Sequence, residues 1–99
     1  MMPDDDRKEQ IELMGEKTIV LIAVEEMAEL SKALLKNVNR GKNNIDAIFE
    51  EIGDVSNMLE FLKMIYGISD EKIWLYEDEK YIKKWKPRIE KMRAEKGGA

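Results

Sequence analysis

Residues 24–67 read VEEMAELSKALLKNVNRGKNNIDAIFEEIGDVSNMLEFLKMIYG, and this stretch decides the fold. Apolar residues recur in it at intervals of three and four positions, which is the spacing of one face of an α-helix. The polar sequence RGKNN interrupts this pattern once and is typical of a turn. Two long helices joined by so short a turn lie antiparallel, so the stretch predicts a helix hairpin.

The same periodicity continues on both sides of the hairpin, without the alternation that marks a strand, and it predicts an all-α fold. Glycines at positions 15, 41 and 67 are expected to interrupt or end the first three helices. Asn44 and Ser69 are plausible N-caps, and Pro87 should break or kink the continuation of the last helix. The tail after residue 94 is expected to fray. The predicted helices cover residues 4–14, 17–40, 45–66 and 70–86.

The composition indicates one small globular domain over residues 1–99, with a core in about residues 17–86. The 99 residues are 43% hydrophobic and 38% charged, which is within the range of folded domains. So short a chain has a shallow core, and we therefore expect a homo-oligomer, either a dimer or a tetramer, that assembles into a helical bundle.

Charge and residue usage exclude several classes of function. The net charge of −4 and the scattered lysines and arginines argue against a protein that binds a nucleic acid polymer. The chain has no Cys or His, so neither thiolate nor imidazole can serve as a ligand or nucleophile. No apolar run is long enough to cross a membrane, and the acidic start is not a signal peptide. We therefore expect no membrane partner and a cytoplasmic location.

Two pairs of carboxylates fall on the apolar stripes of the hairpin helices. Glu26 and Glu29 lie about 60° apart on the second helix, and Glu51 and Asp54 form the same i, i+3 pair on the third. Because helices pack through their apolar stripes, the two pairs should converge in a partly dehydrated place, where they would repel one another. A divalent cation would relieve this repulsion. Oxygen ligands alone favour Mg²⁺, with Mn²⁺ as a substitute.

The acidic residues also carry a resemblance to a known family. EEMAE at residues 25–29, followed after 21 residues by EIGD at residues 51–54, resembles the EExxE and ExxD motifs of the MazG-like, all-α nucleoside triphosphate pyrophosphohydrolases. The resemblance spans about residues 20–67. It implies a four-helix MazG-like domain around a central hairpin.

The resemblance also implies an activity, which is Mg²⁺-dependent hydrolysis of an NTP or dNTP between the α and β phosphates. The products are the nucleoside monophosphate and pyrophosphate. At the matching positions, Glu25 would be the base that deprotonates the attacking water. Neighbouring protomers of a dimer or tetramer would complete the site. The metal ligands would be Glu26, Glu29, Glu51 and Asp54.

Further polar residues near the acidic pairs are candidates for substrate binding. Lys32 and Lys36 follow Glu29 along one edge of the second helix and could meet the β and γ phosphates, although lysines near a helix C-terminus also complement its dipole. Asn57 lies one turn beyond Asp54 and could orient the nucleotide, or could simply face solvent. The aromatic residues Trp74, Tyr81 and Trp85 are more typical of core or oligomer contacts than of base stacking.

Two alternative functions remain open from the sequence. A phosphoribosyl-ATP pyrophosphatase resembles the same pattern and has a similar length. A non-catalytic helical module is the alternative from another class, in which the acidic pairs bind a structural cation or a basic partner and the aromatic fourth helix is the docking surface. Under either alternative, any one of the four predicted metal ligands could instead be a surface carboxylate or could pair with a lysine.

Overall fold

The computed structural model describes residues 1–97 and confirms that the protein is all-α. Within this range no strand is present. The chain divides into two compact units, Met1–Gly67 and a second unit that begins at Ile68. The helices are α1 (Asp4–Met14), α2 (Glu16–Arg40), α3 (Ile45–Tyr66), α4 (Asp70–Lys80) and α5 (Lys86–Gly97), with a π-helical segment (Tyr81–Trp85) between α4 and α5.

The first unit is built on α2 and α3, which pack against each other more extensively than any other pair of elements. Ile19 and Ala23, near the start of α2, share a core cluster with Met58 and Phe61, near the end of α3. The opposite ends of the two helices meet at the turn that joins them, so the helices run antiparallel. Helix α1 contacts both of them and closes the cluster with partly buried apolar side chains such as Ile11.

The helix ends follow the local signals in the sequence. Gly41 and Gly67 have left-handed backbone conformations, with φ of 59° and 63°, which cost glycine little because it lacks a Cβ atom. Ser69 caps α4 by accepting a hydrogen bond from the backbone N–H of Lys72 at 3.3 Å. Asn44 also precedes a helix, but its side chain makes no capping bond to α3. It donates instead to the carbonyl of Ala33 in α2, at 2.9 Å.

The second unit differs from the prediction of one helix over residues 70–86. Helix α4 ends at Lys80, a π-helical segment follows, and Pro87 is the second residue of α5. Proline has no N–H and its ring collides with the carbonyl four residues earlier in a regular α-helix. The wider π turn, which ends at Trp85, two residues before Pro87, lets the helical path continue past the proline. Of the tail expected to fray after residue 94, residues 95–97 belong to α5, and residues 98–99 lie outside the described residues.

The aromatic residues of the second unit are exposed. Trp74, Tyr81 and Trp85 retain roughly half of their accessible surface, so they do not form a core within this chain. In the part of the chain that the structure describes, no helix is both long enough and apolar enough to span a membrane.

Candidate metal centre

Three carboxylates predicted as ligands meet between the hairpin helices. One oxygen from each of Glu26, Glu51 and Asp54 lies within 4.8 Å of the other two. Glu26 and Glu51 are half-buried, whereas Asp54 is exposed. Glu26 reaches this position because it lies about 60° from Ala23 on the α2 wheel, in the stripe that faces α3.

Within the described part of the chain, these carboxylates have no cationic partner. Within residues 1–97, none of the three forms an ion pair with a lysine or arginine, which disfavours the interpretation that they pair with lysines. Partial burial raises the pKa of Glu26 above its ordinary value of 4.5, and the charges of Asp54, Glu51 and Glu29 raise it further. The Oε2 atom of Glu51 is buried and accepts no hydrogen bond from any described residue.

The donor set fits a hard divalent cation. A buried carboxylate oxygen without a partner leaves a desolvation cost that a cation or a proton could offset. The three groups supply only oxygen ligands, at separations short enough to share one ion. Glu26, Glu51 and Asp54 are therefore the residues best placed to hold Mg²⁺ or Mn²⁺.

The structure places the other two predicted acids differently. Glu29 is not one of the three converging carboxylates, but its charge acts on Glu26 and it lines an adjoining groove together with Glu51. Glu25 is exposed on α2. Residues 1–97 offer its side chain no hydrogen bond or ion pair, so it is open to solvent one residue before Glu26.

The adjoining groove has a volume of about 240 Å³ and lies between the end of α2 and the start of α3. It contains both predicted phosphate contacts, Lys32 and Lys36. It also contains Lys42, which the sequence showed only as part of a polar turn. The lining is completed by Glu29, Ala33, Asn44, Ala47 and Glu51.

The turn that carries Lys42 is held by a set of hydrogen bonds. The backbone N–H of Lys42 donates to the carbonyl of Lys36 at 3.4 Å, which satisfies a carbonyl in the last turns of α2. The amide of Asn37 donates to the carbonyl of Lys42 at 3.2 Å and to Oδ1 of Asn44 at 3.3 Å. These bonds fix the turn against α2 and thereby bring the third lysine to the groove.

Asn57, the remaining predicted contact, is engaged elsewhere. Its Oδ1 accepts hydrogen bonds from Arg7 of α1, and it lines a separate cavity of about 590 Å³ with Arg7, Ser56 and Glu60 among others. Sequence reasoning missed Arg7, which is only 4% exposed. The available signal was Asp4 one turn earlier, an i, i+3 partner for the guanidinium.

Comparison of the chain with protein-family models, with curated proteins and with solved structures gives no match.

Proposed function

We propose that the protein is a Mg²⁺-dependent nucleotide pyrophosphohydrolase that converts an NTP or dNTP into the monophosphate and pyrophosphate. The observation that carries this proposal is the convergence of Glu26, Glu51 and Asp54 without any cationic partner within residues 1–97. The similarity of EEMAE and EIGD to the MazG-like motifs supplies the reaction class. A groove with three lysines beside the carboxylates supplies complementary charge for a polyphosphate.

The proposed division of roles follows from these positions. Glu26, Glu51 and Asp54 would hold Mg²⁺, and Glu29 would hold it directly or through water. Bound Mg²⁺ would neutralise phosphate charge and lower the pKa of a coordinated water. Glu25 is next to Glu26 in sequence and exposed, so it is free to accept the proton of the attacking water. The water oxygen bonds to the α phosphorus, and the bond from this phosphorus to the bridging oxygen breaks.

A second copy of the chain is the proposed partner, because the hairpin helices each carry a second apolar stripe. On α2 the stripe lies about 150° from the core-facing side chains, and on α3 about 140°. The large apolar members follow at gaps of 3, 11 and 3 residues on α2 and at 4, 3, 7 and 7 on α3, so each set lies on one face of its helix. All large apolar members of the two stripes are exposed. On α2 they are Leu21, Val24, Leu35 and Val38, and on α3 they are Ile45, Phe49, Ile52, Leu59 and Tyr66.

The two stripes contain nine large apolar residues, whereas five hydrophobic residues are buried within residues 1–97. Exposed apolar surface of this extent is typical of a protein interface. Association into a dimer or tetramer would cover it and would add helices beside the acidic cluster, as the MazG-like resemblance implies.

The reaction is tested with purified protein, Mg²⁺ and a panel of canonical and modified NTPs and dNTPs, together with phosphoribosyl-ATP. Products are separated by chromatography. The expected products are monophosphate and pyrophosphate, and Glu51→Gln should abolish them because it removes a ligand. Glu50→Gln is the matched control, since Glu50 is the preceding, exposed residue of the same helix. Diphosphate and phosphate as products would contradict the proposed bond, and absence of turnover would favour the interaction module.

A further inference from the structure

The groove beside the acidic cluster is lined by three lysines that form no ion pair within residues 1–97. Lys32, Lys36 and Lys42 line it, and within residues 1–97 none of their side chains makes an ion pair or a hydrogen bond. Two carboxylates, Glu29 and Glu51, also line the groove, so its ionised side chains carry a net charge of +1. Gathered like charges repel one another, and a bound anion would remove that repulsion.

The groove and the acidic cluster share one residue. Glu51 lines the groove and also belongs to the set of three converging carboxylates. Along α3, Ala47 of the groove, Glu51 and Asp54 follow at intervals of about 6 and 4.5 Å. The cationic end of the site therefore lies toward the turn between α2 and α3, and the acidic end lies toward the middle of α3.

We propose that this groove binds the pyrophosphate portion of the substrate, and that Lys42 is a third cationic contact beside Lys32 and Lys36. The proposal rests on the proposed function for the identity of the ligand. When the bond between the α phosphorus and the bridging oxygen breaks, the bridging oxygen and its electron pair leave with the pyrophosphate. The three lysines are placed to stabilise the charge that develops on this leaving group.

The same arrangement assigns a direction to the substrate. The β and γ phosphates lie at the turn, and the α phosphate lies at Glu51 and Asp54. The nucleoside then extends beyond Asp54, away from the turn. A nucleotide with a single phosphate leaves the groove empty and should bind weakly.

Lys42 is suited to a direct test because its contacts in the turn are made by its backbone. Its N–H donates to Lys36 and its carbonyl accepts from Asn37, so Lys42→Met should preserve the fold, as a thermal melt can verify. The probe is imidodiphosphate, which resembles pyrophosphate, titrated into the protein by calorimetry in the presence of Mg²⁺. The matched control is Lys17→Met, because Lys17 is an exposed lysine at the other end of α2.

We expect imidodiphosphate to bind the unmodified protein and Lys17→Met equally, and to bind Lys42→Met about tenfold more weakly, as for loss of one contact to a charged group. Equal binding to all three proteins, or no binding, overturns the proposal. Turnover with an unchanged KM in Lys42→Met would refute the role of Lys42 while leaving the proposed reaction intact. Selective loss of binding in a protein without turnover would support the groove and contradict the reaction.

Discussion

The guanidinium of Arg7 donates two hydrogen bonds to a single oxygen, Oδ1 of Asn57, from Nε at 3.1 Å and from Nη2 at 2.9 Å. Its Nη1 atom donates to Asp4 at 2.7 Å, and its Cζ atom lies 6.0 Å from the centre of the Phe61 ring. This buried cation joins α1 to the face of α3 beside the core. It therefore links the first helix to the hairpin that carries the acidic cluster.

Arg7→Met should lower the free energy of unfolding by about 2–3 kcal/mol, because it removes charged hydrogen bonds and leaves the Asn57 oxygen without its donors. Urea denaturation measures the change. Lys8→Met is the control, since Lys8 is exposed on the same helix, and it should change stability by less than about 0.5 kcal/mol. Equal stability of the two variants would show that the guanidinium contributes little to holding α1.

Mg²⁺ should stabilise the protein against thermal unfolding if the three carboxylates bind it. A ligand at a hundredfold excess over its Kd adds about 2.7 kcal/mol. Differential scanning calorimetry with and without Mg²⁺ measures the gain, which Glu51→Gln should remove and Glu50→Gln should retain. The prediction fails if the unfolding temperature is the same with and without Mg²⁺ and Glu51→Gln is more stable than the unmodified protein. The acidic cluster would then bind no ion by itself.

The stability of the protein without Mg²⁺ should fall as the pH rises through the pKa of Glu26. The folded state raises this pKa above 4.5, so the folded state holds the proton more tightly than the unfolded state does. The resulting stabilisation is fully present below the unfolded pKa and is lost above the folded one. Urea denaturation over a series of pH values should show this loss, and Glu26→Gln should reduce it. A variant with the same pH dependence as the original protein would assign the effect to other groups.

Phe49→Lys should shift the protein to a smaller assembly, because it places a charge in the outer stripe of α3, where Phe49 is 77% exposed. Light scattering coupled to size-exclusion chromatography measures the mass. Leu13→Lys provides the comparison, since Leu13 is equally exposed, at 78%, but belongs to α1. If the unmodified protein is a monomer in solution, the proposal that a second copy of the chain covers these stripes is wrong.

The sequence predicted the elements whose signals are local. The predicted α1 and α3 match the observed bounds, and α2 begins one residue earlier than expected, since glycines and apolar spacing define these ends. The π-helical segment was not predictable from periodicity, because it depends on how the chain accommodates Pro87. Of the four carboxylates that the pattern predicted to converge, three do so, since helical geometry fixes which residues share a face.

The contacts that depend on tertiary packing were harder to foresee. Asn57 and Arg7 are 50 positions apart, and no spacing rule connects them. Lys42 reaches the groove only because hydrogen bonds of Asn37 and Asn44 hold the turn. Glu29 is likewise absent from the three converging oxygens, although the helical wheel places it only about 60° from Glu26.

The π-helical segment also changes how the second unit presents its aromatic residues. In an uninterrupted α-helix, Trp74 and Trp85 would differ by only about 20° around the axis. A π turn adds the equivalent of one residue to the helix, which offsets the following side chains by about 100°. The two tryptophans are therefore separated by up to about 80° around the helical path instead of lying on one line along it.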